Sequence, residues 1–157
     1  MKDRTKSVAS MSAVCVVASG LAVGCESAGY GTNASTRQMT ADADPVSAQI
    51  AHGAEVYTNS CSKCHGDAGQ GTDKGPMLVG SGSFPLDPSP DAERTAQFHT
   101  AMDIAVFATQ NMPPKARQRK EMAEADYWAV LAFALSANGV NLSEPVGPDN
   151  AAAIVLH

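Results

Sequence analysis

Apolar positions recur with a helical period in the second half of the chain, while other stretches follow neither a helix nor a strand period. The clearest periodic stretch covers residues 121–138, where Trp128, Leu131, Ala132 and Leu135 fall on one face and Gly139 follows at a C-terminal cap position. Over residues 92–110, Phe98, Ala101, Met102, Ala105 and Val106 recur at three- and four-residue spacing, which predicts one or two helices with Met102 on the buried stripe. Gly53 and Tyr57 share a helical face that leads into Cys61. The Pro- and Ser-rich residues 81–90 separate these helical stretches, and residues 140–157, with Pro145 and Pro148, read as a tail packed on the domain.

The N-terminal residues have a different pattern. Lys2, Arg4 and Lys6 precede an uncharged run over residues 8–24 of mostly small or apolar side chains, the arrangement of a secretory leader. That run is shorter than the roughly 20 apolar residues a membrane-spanning helix requires. It closes in Leu21-Ala22-Val23-Gly24-Cys25, which resembles a bacterial lipobox, so residues 1–24 are read as a signal peptide and Cys25 as a lipidation site. Ala22 and Gly24 also satisfy ordinary signal-peptidase cleavage, which would leave Cys25 a free thiol. Residues 26–47 are rich in Ala, Ser, Thr, Gly and Asp, carry Pro45 and lack apolar periodicity. They read as a flexible tether with a root-mean-square reach of about 25 Å. The domain boundaries are accordingly 1–24 leader, 25–46 lipidated Cys and tether, 47–139 folded domain and 140–157 extension.

Composition changes the picture in two ways. Aromatic residues make up only 5% of the 157, with one Trp, three Tyr and four Phe, so large side chains alone would build a thin core. The net charge is −5, and loss of Lys2, Asp3, Arg4 and Lys6 with the leader would make it −7. Nothing offers the basic surface that nucleic acid requires.

The four cysteines stand at 15, 25, 61 and 64, and only the last two are close enough to share a local site. Cys61-Ser62-Lys63-Cys64-His65 is a Cys-x-x-Cys-His sequence, read as covalent attachment of one c-type haem. Two thiols three positions apart at a helix end project to one side, where they can add to the haem vinyl groups, and the adjacent imidazole can face the iron. Zinc would need two further ligands, and no second Cys pair exists. A thioredoxin-like site would need strand-forming runs in a βαβ setting, which the surrounding Ala-rich sequence lacks. With no second Cys-x-x-Cys-His, a dihaem peroxidase is disfavoured.

From about residue 49 to 138 the chain resembles the class I monohaem cytochrome c family. Gly53 and Tyr57 match the Gly and aromatic positions of the family's first helix, and Phe133 the aromatic that packs against it. Gly75-Pro76-Met77-Leu78 looks like the family's Gly-Pro-x-Leu loop, and Asn111-Met112-Pro113-Pro114 resembles its Met-Pro segment. The resemblance implies an all-α cytochrome c fold of three to five helices around the haem. It implies that the Pro76 carbonyl accepts a hydrogen bond from His65, and that Met112 supplies the distal ligand.

The residues allow that last choice to be argued. Met77, attached to Pro76, should lie on the His65 side, and Met122 sits among charges near a helix start. Met112 lies in a segment that Pro113 and Pro114 hold out of helix, so a rigid backbone can aim its thioether. His99 and an open position are the alternatives. Cofactor-binding residues are thus Cys61, Cys64, His65, Pro76 and Met112, with His65 and Met112 on the iron. His52 and His157 are expected to hold no metal. Trp128 is expected to pack in the core, with a haem propionate as its alternative partner.

Lys115, Arg117, Arg119 and Lys120 put four cations in six residues of an otherwise acidic region. Such a run is ordinarily a solvated face; the functional alternative is a docking patch for an acidic redox partner. The expected function is one-electron transfer, without substrate chemistry, between membrane or periplasmic redox proteins such as a dehydrogenase or a terminal oxidase. The chain would be exported to the periplasmic side of a bacterial membrane and held there by lipid on Cys25. The alternatives are a fixed haem subunit of a dehydrogenase complex and a haem sensor with a displaceable sixth ligand.

Overall fold

The Asp44 carboxylate accepts hydrogen bonds from Val46 N at 3.0 Å and Ser47 N at 3.1 Å, and Pro45 follows it at the first helical position. An acidic cap followed by Pro starts a helix efficiently, because Pro lacks only an N–H that would be unpaired there. Helix α1 therefore runs Pro45–Ser60, and Pro45, which the composition placed in the tether, begins it. The computed structural model describes residues 44–157 except 91 and 93. The leader, Cys25 and most of the tether lie outside the described residues.

The chain bends at Cys61 and continues as the single turn α2 (Ser62–His65), closed by Gly66 at φ 84°. Helix α3 (Ala101–Asn111) begins later than the periodicity suggests. Before it, the Arg94 guanidinium binds the carbonyls of Pro85, Leu86, Asp87 and Ala96 and lies 3.9 Å over the Phe98 ring, holding this stretch as a loop. The Asp103 carboxylate then fixes the start of α3 by accepting from His99 N, Thr100 N and Thr100 Oγ1 at 2.8–3.0 Å. Ala101, Ile104 and Ala105 face the core and Met102 packs against it. Val106, expected on the same stripe, is 45% exposed although Ala105 beside it is buried, so the covered stripe runs through Ala101, Ile104 and Ala105.

A short helix α4 (Ala116–Glu121) stands apart from α5 (Glu124–Ala137), because Met122 and Ala123 are extended, with ψ 132° and 152°. The helix expected over residues 121–138 is α5, shortened at its start, and α4 is a separate short helix that the apolar spacing does not predict. Helix α5 ends as expected, with Gly139 at φ 82° and Val140 N donating to Leu135 O at 3.0 Å. The architecture is all-α, five helices with no strand among the described residues, as the sequence led one to expect.

Helices α1 and α5 cross closely. A β-carbon at Gly53 would lie 1.9 Å from Ala129 O, and beside it the Tyr57 and Phe133 rings meet at 5.2 Å. The rest of the core is small: Ala101, Ala105, Ala132, Ala134 and Ala151 alternate with Phe84, Phe98, Ile104, Leu131 and Leu135. Trp128 packs against this cluster from the side, its Nε1 3.4 Å from Glu124 Oε1. Residues beyond Gly139 lie on the domain. Gln49 exchanges two hydrogen bonds of 2.8 Å with the Val146 backbone, and Leu156 N donates to His99 O at 2.9 Å. No described helix is long and apolar enough to cross a membrane.

Candidate functional site

Cys61, Cys64 and His65 are brought together by the bend between α1 and α2. Cys64 N and His65 N both donate to Cys61 O, at 3.1 and 3.0 Å, which makes one tight turn of the pentapeptide. Both thiols are half-buried and unpaired. Burial, with Cys64 adding to it, pushes the Cys61 thiol up to about 11, so as a free group it stays protonated. The His65 ring is buried, and its Nδ1 lies 2.7 Å from Pro76 O. A carbonyl only accepts, so Nδ1 carries the hydrogen and Nε2 presents a bare lone pair, the form in which imidazole binds a metal.

The loop after His65 is built to hold that bond. Tyr57 reaches across from α1 and donates its hydroxyl to Gly66 O. Gly71 N donates to His65 O at 2.8 Å, Thr72 Oγ1 to Cys64 O, and Thr72 N to Gly75 O at 2.9 Å. The chain passes so near the imidazole that a β-carbon at Gly75 would lie 3.1 Å from both His65 Nδ1 and Cε1. The far end of the loop is fastened by Asn138 at the end of α5: its amide donates to Leu78 O at 2.8 Å, and its oxygen accepts from Gly80 N and Ser83 Oγ.

Met112 closes α3, its N–H donating to Ala108 O at 2.8 Å and its backbone then turning extended at ψ 140°. The Met112–Pro113 peptide is cis. Side chains hold the turn that follows: Tyr127 donates to Met112 O at 2.8 Å, and Arg119 donates to both Pro113 O and Pro114 O at 2.7 Å. An open recess of about 230 Å³ beside Met112 is lined by Phe107, Gln110, Asn111, Pro114 and Arg119. Burial pushes the Tyr127 hydroxyl above its ordinary value, the Arg119 charge opposes this and Cys61 adds to it, so Tyr127 is in electrostatic reach of both parts of the site.

The other candidates lie elsewhere. Met77 folds against Gly80 within the His65 loop, and Met102 packs on the core. His99 is exposed, with Nε2 3.1 Å from Gln97 Oε1. Met122 caps α4. His52 pairs with Asp126 at 2.8 Å, and His157 Nε2 donates to Phe84 O. The basic run divides: Arg119 turns inward, Arg117 pairs with Glu121 at 2.9 Å, and Lys115 and Lys120 are exposed. Arg119, Tyr127, Asn138 and Arg94 were not picked out individually from the sequence, because their targets are backbone carbonyls, which residue type does not reveal.

Two unpaired thiols three residues apart, with an adjacent imidazole whose Nε2 is uncommitted, suit a covalently attached porphyrin iron. Among the described residues no group of three or more His, Cys, Asp or Glu side chains converges, so a zinc site lacks its remaining ligands.

Comparison with known proteins agrees. Residues 48–133 match the family described as "Cytochrome C oxidase, cbb3-type, subunit III". A thiosulfate dehydrogenase of Stutzerimonas stutzeri (strain A1501) is 33% identical over 89 residues, 54% of this chain and 26% of the relative, so the chain spans about a quarter of that protein. The crystal structure of the sulfane dehydrogenase SoxCD from Paracoccus pantotrophus shares the fold with a TM-score of 0.51 and 23% identity, over 82% of this chain and 68% of that one. The thiol pair, the oriented imidazole and the matched residues lead to one conclusion: the chain carries covalent haem c for electron transfer and belongs to the cytochrome family of the cbb3-type cytochrome c oxidase subunit III.

Proposed function

We propose that this chain is a one-electron carrier in which Cys61 and Cys64 would form the thioether links to haem and His65 and Met112 would hold its iron. The observation that carries the reading is the 2.7 Å bond from His65 Nδ1 to Pro76 O, which fixes the tautomer, orients the ring and raises the basicity of Nε2. When bound, haem supplies an Fe(III)/Fe(II) couple, whose potential a Met thioether raises relative to a second imidazole. The protein's own part is to hold the imidazole and the thioether still and to keep other small molecules from the sixth position. The sensor alternative asks for a loosely held ligand, whereas the segment carrying Met112 is tied at three successive carbonyls. In this reading the chain transforms no substrate itself. It is exported to the periplasmic side of a bacterial membrane and anchored there through lipid on Cys25.

The test is Met112→Ala in the haem-loaded protein. The oxidised spectrum is expected to lose the weak long-wavelength absorption of thioether ligation, and the reduced form to bind carbon monoxide promptly. An unchanged oxidised spectrum removes Met112 from the iron.

A second reading, favoured by the likeness to a thiosulfate dehydrogenase, makes the same domain the fixed electron outlet of a separate dehydrogenase chain. Isolation from its native membrane separates the two. A large partner in equal amount supports the subunit, and a free small cytochrome supports the shuttle.

A further inference from the structure

Arg119 and Tyr127 both end on the backbone of the segment that carries Met112. Arg119 Nη1 donates to Pro113 O and Pro114 O at 2.7 Å, and the Tyr127 hydroxyl donates to Met112 O at 2.8 Å. Three successive carbonyls thus accept from side chains of α4 and α5. Pro113 and Pro114 have no N–H, so after the bond from Met112 N to Ala108 O this stretch has no backbone donor of its own until Lys115. Its orientation must be set from outside. A carbonyl held against a fixed donor fixes the torsion of the residue that owns it, and so fixes the direction in which the Met112 side chain leaves the chain. The guanidinium suits this task because it is always charged and directs several donors in a rigid plane, where an ammonium offers a point charge. Arg119 is also half-buried, whereas Lys115, Arg117 and Lys120 are exposed.

We propose that Arg119 and Tyr127 are positioning residues for the sixth ligand, holding the backbone from Met112 to Pro114 so that the thioether stays on the iron against competing ligands. This rests on the assignment of Met112. It also turns the Nη1 donors of Arg119 inward, away from any docking patch.

The experiment is an imidazole titration of the oxidised, haem-loaded full chain, followed by loss of the long-wavelength thioether absorption. Arg119→Gln is expected to raise the apparent imidazole affinity at least about tenfold, the scale of one charge-assisted hydrogen bond, and Tyr127→Phe about fivefold, the scale of a neutral one. Arg119→Lys falls between Arg119→Gln and the unaltered protein. Lys120→Gln removes the same charge one residue away and leaves the affinity unchanged. Equal affinity in Arg119→Gln, Tyr127→Phe and the unaltered protein overturns the proposal, as does an equal rise in Lys120→Gln. Met112→Ala alongside distinguishes the failures. If it leaves the spectrum unaltered, the ligand assignment falls and the positioning role with it. If it abolishes the band while the Arg119 and Tyr127 variants keep their affinity, the ligand stands and the positioning role falls. Should Arg119→Gln not fold, Arg119→Lys and Tyr127→Phe carry the same readout.

Discussion

Pro76 acts through its carbonyl, so its effect on His65 depends on how closely the neighbouring backbone can approach the ring. Gly75 permits that approach: a methyl group there would meet Cys64 O at 3.0 Å and the His65 ring at 3.1 Å. Gly75→Ala should press the imidazole away from Pro76 O and weaken the bond. A less basic imidazole stabilises Fe(III) less, so the reduction potential should rise, by up to about 60 mV if about 1.4 kcal/mol of that bond is lost. Redox titration beside the unaltered protein checks this; an unchanged or lower potential in a normally folded variant would show that the Pro76 bond does not tune the iron. The residues that differ in legibility differ in what they act through. Cys61, Cys64 and His65 are contiguous, and side-chain chemistry alone spells out their purpose. Arg119, Tyr127 and Asn138 act on carbonyls supplied by distant backbone, and no residue type records where a carbonyl will point.

Among the elements, the crossing of α1 on α5 is the most constrained contact. The β-carbon that Gly53→Ala would add falls 1.9 Å from Ala129 O, a backbone atom that no side-chain trimming can remove. Ala gains about 1 kcal/mol over Gly in helix propensity. Overpacking at this distance costs about 3 kcal/mol, so the net loss should be about 2 kcal/mol, with the helices forced apart and the Tyr57–Phe133 contact broken. Denaturant unfolding of the haem-loaded variant measures it; a midpoint at or above that of the unaltered protein would mean that the helices do not cross there. This crossing was legible through the family resemblance, in which Gly53 and Tyr57 match positions of the first helix and Phe133 the aromatic that packs against it. The start of α3 was not. The apolar spacing before Ala101 is helical, but the buried Arg94 takes Ala96 O out of any helical ladder and ties this stretch back onto the carbonyls of Pro85, Leu86 and Asp87. Helix α4 was hidden for a different reason: residues 116–121 bury no side chain and so show no apolar stripe, and Arg119 fastens the helix back onto the Pro113–Pro114 turn.

For the molecule as a whole, composition and structure now agree. Tyr57 and Leu135 are its largest fully buried side chains, and most of the remaining core is Ala, so a large flat prosthetic group supplies apolar bulk that the chain lacks. The proposed lipid anchor belongs to this scale as well. Each buried methylene adds about 0.8 kcal/mol to membrane binding, so several acyl chains on Cys25 would hold the protein firmly. Cys25→Ala should move the haem-bearing protein from the membrane fraction to the soluble fraction, and unchanged partitioning would refute lipidation at that residue. The reciprocal amide pair between Gln49 and Val146 spans 97 residues and closes the domain end to end. Such a contact is among the last to form, because the loop-closure entropy of the intervening chain must be overcome first. Until the ends meet, Cys61 and Cys64 stand as open thiols on an unclosed chain, so the pair that is half-buried in the finished domain is more accessible to covalent attachment before that closure than after it.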